Sequence, residues 1–122
     1  MTERLFTPEE ATAELPELRE RLPRLREARR GLIEATKKVE EAVADDGGGV
    51  AAPDWFEHQQ TLRTEIVYLA DRGILLRDPD TGLVDFPAER DGRRVFLCWR
   101  LGEGDIEWYH EETSGYRGRK PL

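Results

Sequence analysis

The stretch GLVDFPAERDGRRVFLCWRLGEGDIEWYH, residues 82–110, decides the fold because turn signals divide it into short apolar runs. The pair DG at 91–92 and the triplet GEG at 102–104 are typical of tight turns between β-strands. Upstream, the apolar run ILLR is followed by a further turn signal, DPDTG. The sequence therefore predicts a four-stranded antiparallel β-meander over residues 74–110.

The turns also predict which side chains share a face of the sheet. A two-residue turn at 91–92 places Asp85 opposite Cys98, and one at 103–104 places Cys98 opposite Tyr109. Side chains alternate between the two faces along each strand. The expected helix-facing set is apolar and consists of Ile74, Leu76, Val84, Phe86, Val95, Leu97, Trp99, Leu101, Ile106, Trp108 and His110. The expected opposite set is mixed and consists of Leu75, Arg77, Leu83, Asp85, Phe96, Cys98, Arg100, Glu107 and Tyr109.

Residues 7–72 predict an antiparallel helical hairpin. The sequence TPEE at 7–10 has the pattern of a capping box, and leucines then recur at spacings of three and four. We expect Pro16 to open a second helix after a short first one, and Pro23 to kink that helix. The glycine-rich run at 45–54 predicts the loop between the two arms.

The first arm of the predicted hairpin is longer than the second. Residues near its start therefore lack a partner within the hairpin, and they must cover the sheet or pair with another subunit in a coiled-coil-like contact. The second alternative predicts a homodimer. The predicted fold class is α+β, with an antiparallel helical hairpin, whose long first arm is kinked, packed on a four-stranded antiparallel β-meander. The chain of residues 1–122 is expected to be a single domain that ends in a basic tail at 111–122.

The mixed face carries the first candidate site. In the predicted register Arg100 lies opposite Glu107 and diagonal to Asp85. One interpretation is an exposed ion pair between strands, with Cys98 as a small filler. The other is a shallow site in which Arg100 holds an anionic ligand and Asp85 or Glu107 orients it. A cysteine nucleophile is disfavoured because this register puts neither histidine on the face of Cys98.

A metal centre is not predicted. On a helix, Glu107-x-x-His110 would match the pattern of carboxylate-bridged di-iron bundles. The segment is bounded by glycines and rich in Ile, Trp and Tyr, which predicts a strand, and on a strand these two residues point to opposite faces. His110 is interpreted as a partly buried histidine at the end of the apolar face, with ligand binding or proton transfer as the alternative. We expect no cofactor.

The tail carries a second candidate site. Tyr116, Arg117, Arg119 and Lys120 combine one aromatic ring with three positive charges, which could contact RNA or phosphate. Docking of the tail on the acidic helices of its own dimer explains the same residues. The net charge of −7 argues against broad binding to nucleic acid or to anionic membranes. The single cysteine suits a reducing cytoplasm, and no apolar run is long enough for a membrane span or a signal peptide.

Four blocks of the sequence resemble a known family. FTPEEATAELPELR near the start, GLVDFPAERDGRRVFLCWRLGE, WYH, and GYRGRKPL at the end are similar to a small bacterial family, domain-of-unknown-function family 2203. The resemblance covers essentially the whole chain. It implies a stand-alone bacterial protein with a helical hairpin and a small sheet, and it transfers no activity.

Three functional hypotheses follow. The first is a non-enzymatic cytoplasmic interaction or regulatory module that dimerises through its helices, because the scaffold is well specified and no complete catalytic set is present. The second is a small-molecule or anion-binding protein, or an enzyme, with a pocket near His110, Arg100 and Arg119. The third is weak RNA binding through the tail.

Overall fold

The computed structural model describes residues 3–46 and 54–122. Two helices are followed by five short strands and one turn of 3-10 helix. The elements, in chain order, are α1 (Pro8–Asp46), α2 (Trp55–Asp71), β1 (Leu75–Asp78), β2 (Leu83–Arg90), β3 (Arg93–Arg100), β4 (Trp108–Glu111), the 3-10 helix (Tyr116–Gly118) and β5 (Lys120–Pro121). Most of the loop predicted at 45–54 lies outside the described residues. None of the described helices is long and apolar enough to cross a membrane.

The α+β class is confirmed, with five strands rather than four. The sheet is antiparallel with strand order β1-β2-β3-β4-β5, so each strand pairs with its neighbour in the chain. The extra strand comes from the tail, where Tyr109 pairs with Lys120. The backbone N–H of Leu122 also donates to the carbonyl oxygen of Glu107 at 2.9 Å. The tail therefore belongs to the sheet.

Helix α1 begins as predicted but does not divide at proline. Thr7 Oγ1 accepts a hydrogen bond from the Glu10 backbone N–H at 3.1 Å, and Glu10 Oε1 accepts one from the Thr7 N–H at 2.9 Å, which completes the capping box. The expectation that Pro16 opens a second helix is wrong, because α1 runs continuously through Pro16 and Pro23. A proline inside a helix costs about 3 kcal/mol. Burial of the α1 leucines at about 1.5–3 kcal/mol each outweighs that cost.

The start of α1 covers the sheet. Its apolar face lies in the same core as the inner faces of β2 and β3. The expectation that the start of the first arm covers the sheet is therefore confirmed, and its pairing with another subunit stays a prediction. Phe6 joins this core, and its backbone N–H donates to the Pro87 carbonyl oxygen at 2.7 Å. The buried core residues of α1 are Ala11, Leu15, Leu18, Leu22 and Leu25, and those of the two strands are Val84, Phe86, Ala88, Val95, Leu97 and Trp99.

The register between β2 and β3 follows the prediction. Between β1 and β2 it does so only up to Leu76, because Asp78 rather than the expected Arg77 pairs with Leu83 after an irregularity in β1. Asp85 pairs with Cys98, and Leu76 pairs with Val84, as the turns predict. Between β3 and β4, however, Cys98 pairs with Trp108 instead of Tyr109. Trp108 and His110 therefore lie on the face away from the helices, and Tyr109 packs against the helix-side core. The predicted helix-facing position of His110 is wrong.

A long connection between β3 and β4 causes this shift of one residue. The predicted two-residue turn at 103–104 does not form, because residues 101–107 fold into a compact loop. Glu103 Oε1 accepts a hydrogen bond from the Arg100 backbone N–H at 2.8 Å, and the indole N–H of Trp99 donates to the Gly104 carbonyl oxygen at 2.9 Å. Ile106 is buried in the core. These contacts fix the start of β4 one position away from the simple hairpin register.

Candidate functional site

Three chemically active side chains meet on the face of the sheet away from the helices. Asp85 on β2, Cys98 on β3 and His110 on β4 are each no more than 3% exposed. One possible ligand atom from each residue lies within 4.8 Å of the corresponding atoms of the other two. We call this group the Asp–Cys–His cluster. It exists because of the shifted register, which brings His110 to the face of Cys98.

Hydrogen bonds hold the cluster in one orientation. His110 Nδ1 lies 2.7 Å from the carbonyl oxygen of Glu111, and because that oxygen can only accept, Nδ1 carries the proton. His110 Nε2 lies 2.9 Å from Asp85 Oδ2. The guanidinium of Arg77 on β1 donates to the same Oδ2 from the solvent side at 2.8 Å. The two basic side chains thus share one carboxylate oxygen of Asp85.

The second oxygen of Asp85 differs from the first. Among the described residues, none makes a hydrogen bond to Asp85 Oδ1, although this atom is fully buried. A buried polar atom without a partner is rare, since its desolvation costs about 1–3 kcal/mol. Asp85 also lines a pocket of about 250 Å³ together with Arg77, Leu83, Cys98, His110, Glu112, Gly115 and Tyr116. The cluster is therefore the floor of a pocket whose wall is the tail.

The thiol of Cys98 is protonated at neutral pH. Burial, and then the negative charge of Asp85, raise the pKa of Cys98 from its ordinary value of 9.0 to about 12, although Arg119 acts in the opposite direction. A thiolate is the nucleophilic form of cysteine, and catalytic cysteines have lowered pKa values. His110 Nε2 faces Asp85, as described above. The arrangement does not form an activated cysteine nucleophile.

Arg119 anchors the tail beside the cluster. Its guanidinium lies 4.6 Å from the ring centre of Trp108 and 4.3 Å from that of Tyr116, and it donates to both carboxylate oxygens of Glu103 at 3.1 and 2.6 Å. Burial acts to raise the pKa of Glu103, but the hydrogen bonds from Arg119 and from the Arg100 backbone outweigh it and hold that pKa below its ordinary value. This bidentate pair fixes the position of the tail.

The structure brings together only part of the predicted site. Asp85 and His110 meet, and Arg119 lies beside them with its charge paired to Glu103. Arg100 is exposed, with its guanidinium 5.5 Å from the ring centre of Tyr116. Glu107 is exposed as well, and the shifted register separates it from the position opposite Arg100 that the prediction gave it.

Sequence reasoning missed two members of the site. The face of Arg77 and Cys98 is correctly predicted, but the misplaced His110 concealed their common role. The sequence prediction uses Glu103 only as a turn residue, whereas in the structure its carboxylate binds Arg119 in the tail. Of the residues proposed for nucleic acid, Arg117 and Lys120 are exposed, Tyr116 lines the pocket, and Arg119 would have to break its ion pair to reach a phosphate.

The comparisons with known proteins find one family. A family model with the description "Uncharacterized conserved protein (DUF2203)" matches residues 4–122. Neither the search of curated proteins nor the search of solved structures finds a match to the chain. The matched range spans both helices, all five strands and the tail that forms the pocket wall. The chain therefore belongs to the DUF2203 family.

Proposed function

We propose that this protein binds a small polar ligand in the pocket between the Asp–Cys–His cluster and the tail. The observation that carries the proposal is Asp85 Oδ1, a buried carboxylate oxygen that has no partner among the described residues and belongs to a side chain lining the pocket. A ligand that presents a hydrogen-bond donor or a positive charge would satisfy this oxygen. The pocket volume of about 250 Å³ suits a small metabolite.

The walls of the pocket limit the chemistry of this ligand further. The Arg77 guanidinium stands at the solvent side of the cluster and is 44% exposed, so it can also contact an anionic group. The aromatic ring of Tyr116 and the side chain of Leu83 supply apolar contacts. A molecule with a donor group at one end and a carboxylate or hydroxyl at the other matches these groups best, which makes small amino acids and amino alcohols the first compounds to test.

A screen by ligand-observed NMR tests this proposal on the full chain after treatment with a chelator. The panel contains small amino acids, amino alcohols and, as a comparison, dicarboxylates. We expect Asp85→Asn to weaken binding of a hit about tenfold, the loss of roughly one charged hydrogen bond. Leu83→Phe, which fills the pocket, should abolish binding, and Leu5→Phe, the same type of change at an exposed position, should not affect it. Hits that bind Leu83→Phe as well as the wild type would disprove the pocket assignment.

Self-association through the helices is a second candidate, and exposed apolar side chains on α2 favour it. Phe56 is 67% exposed and Val67 is 46% exposed. Phe56, Arg63, Val67 and Ala70 follow one another at spacings of seven, four and three, which places them on one stripe of the helix that is apolar except at Arg63. A second copy of the chain is the partner that would cover this stripe in an interaction module. Either function fits a cytoplasmic protein, for which the single buried cysteine is the support. A bacterial source is what the family resemblance implies.

Sedimentation velocity at several protein concentrations tests the second candidate. We expect a concentration-dependent dimer in the wild type and a monomer in the double variant Phe56→Ser, Val67→Ser. Thr64→Ser, another exposed position on the same helix, is the matched control and should dimerise like the wild type. A wild-type protein that stays monomeric at every concentration would exclude this role of α2.

A further inference from the structure

The Asp–Cys–His cluster contains one oxygen, one sulfur and one nitrogen ligand on three neighbouring strands. The three atoms lie within 4.8 Å of one another, and the residues are almost fully buried. We propose that Asp85, Cys98 and His110 bind a single Zn²⁺ ion at the floor of the pocket. This inference rests on the proposed ligand-binding function and deepens it: the ion takes Asp85 Oδ1, and the pocket ligand then binds the ion instead of that oxygen.

The orientation of His110 is the first support. A metal-binding histidine coordinates through one ring nitrogen and donates a hydrogen bond through the other, which fixes its tautomer. In this structure Nδ1 already donates to the Glu111 carbonyl oxygen at 2.7 Å. Nε2 is therefore the nitrogen that points toward Asp85 and the cluster. The ring is held in the form and direction that coordination requires.

Asp85 supplies the second support. Its Oδ1 is buried and has no partner among the described residues, so a cation would satisfy it. His110 Nε2 would exchange its 2.9 Å contact with Oδ2 for the bond to the ion. Arg77 can keep its 2.8 Å hydrogen bond to Oδ2 while Oδ1 binds the ion. A carboxylate that binds a metal usually also accepts a hydrogen bond from a residue that does not touch the metal, as Arg77 would do here.

The dimensions and the ligand types favour Zn²⁺. Bonds of about 2.0–2.3 Å in a tetrahedral site separate the ligand atoms by roughly 3.3–3.7 Å. One ligand atom from each of the three residues lies within 4.8 Å of the other two, so the required adjustments are on the order of 1 Å. A set of one thiolate, one imidazole and one carboxylate suits a borderline ion such as Zn²⁺, whereas Mg²⁺ and Ca²⁺ prefer oxygen ligands only.

Three protein ligands leave one coordination position of a tetrahedral ion for water or for the pocket ligand. The Zn–S bond forms as the Cys98 thiol releases its proton to solvent, and the Zn–N bond forms as the proton between His110 Nε2 and Asp85 Oδ2 is released to solvent as well. The thiolate and the Asp85 carboxylate then balance the two charges of the ion. The positive charge of Arg77 lines the same pocket. The bound ligand would therefore be one that coordinates Zn²⁺ through an oxygen or nitrogen and carries a negative charge for Arg77.

Titration of the chelator-treated full chain with Co²⁺, a spectroscopic substitute for Zn²⁺, tests the proposal. Because Cys98 is the only cysteine, a thiolate-to-cobalt charge-transfer band in the wild-type protein assigns the sulfur ligand without any variant. We expect this band to saturate at one Co²⁺ per chain and to disappear when Zn²⁺ is added. A wild-type protein that stays folded in excess Co²⁺ without the band would overturn the proposal.

Variants assign the other two ligands. We expect Asp85→Asn and His110→Gln each to raise the Kd for Co²⁺ by at least about 100-fold. Removal of a residue that only hydrogen-bonds to a metal ligand costs up to about 100-fold, and removal of a ligand itself should cost at least as much. His58→Gln removes the other histidine of the chain, on α2, and is the matched control that should bind like the wild type. Circular dichroism of each variant shows whether it is folded. Equal affinities of folded His110→Gln and His58→Gln would exclude His110 as a ligand and disprove the site.

The metal proposal and the ligand proposal fail in different ways. A small molecule that binds the chelator-treated protein, together with no charge-transfer band in Co²⁺, leaves the pocket function standing and removes the metal. A charge-transfer band with no small-molecule hit in either the Zn²⁺-loaded or the chelator-treated protein leaves the metal and removes the small ligand.

Discussion

Deprotonation of the buried Cys98 thiol provides a quantitative test of the cluster in the metal-free protein. The thiol faces Asp85 on β2 and His110 on β4, with Arg119 beside it from the tail. Burial and Asp85 raise its pKa from 9.0 to about 12. A group whose pKa is raised by folding stabilises the native state fully below the unfolded-state pKa, and this stabilisation is lost as the pH rises toward the folded-state pKa. The loss reaches about 1.4 kcal/mol at pH 10, because the unfolded chain has then become mostly thiolate.

Urea unfolding followed by tryptophan fluorescence measures this loss in the presence of a chelator and a reductant. The quantity to compare is the difference in free energy of unfolding between the wild type and Cys98→Ala, since the lysines and tyrosines that titrate in the same range are common to both. We expect this difference to change by about 1.4 kcal/mol in favour of the variant between pH 7 and pH 10. Cys98→Ser, which also lacks the thiol, should behave like Cys98→Ala. Parallel curves for the wild type and both variants over this range would refute the reasoning, because the thiol would then titrate equally in the folded and unfolded protein.

Three further predictions concern stability in the metal-free state. Asp85→Ala should reduce the free energy of unfolding by about 3 kcal/mol in urea titrations, because two basic groups lose their buried partner; a loss below about 0.5 kcal/mol would contradict the ion-pair geometry. Glu103→Gln should cost about 1–2 kcal/mol at pH 7 through its contact with Arg119. Since folding lowers the pKa of Glu103, the difference in free energy of unfolding between the wild type and Glu103→Gln should shrink as the pH falls from 4.5 through the folded-state pKa. A difference that stays constant down to pH 2 would contradict this prediction. Gly82→Ala should lower the free energy of unfolding by about 2 kcal/mol, because φ at this position is 70° and the new Cβ would lie 2.7 Å from Leu101 Cβ. Thermal denaturation measures this loss, and an unchanged melting temperature would show that the turn can relax.

The architecture was predictable because it depends on local patterns. Turn residues and strand alternation predicted the pairing of Asp85 with Cys98, and the capping residues at 7–10 predicted the start of α1. These features involve residues close to one another in the sequence, so each can be recognised without the rest of the fold. The continuity of α1 through Pro16 was not predictable in this way, since it depends on the sheet that the helix covers.

The site was not predictable because it depends on contacts between distant parts of the chain. The side chain of Glu103 binds the Arg100 backbone and also Arg119 in the tail, and Ile106 enters the core. A local rule treats Glu103 and its neighbours as a two-residue turn. The resulting error is only one position in register, but it moves His110 to the opposite face of the sheet and separates it from Cys98.

The order of the strands has a consequence for synthesis on the ribosome. Every strand pairs with its neighbour in the chain. The apolar face of α1, in contrast, packs on β2 and β3, which are distant in sequence, and the Phe6 backbone N–H donates a hydrogen bond to the Pro87 carbonyl oxygen. Helix α1 therefore has no complete sheet to cover until β3 has been translated. We expect stalled nascent chains to resist protease at α1 only after β3 has emerged, and protection at shorter lengths would argue against this order. The tail residues that form the pocket wall follow β4 in the chain, so the pocket is complete only after they have been translated.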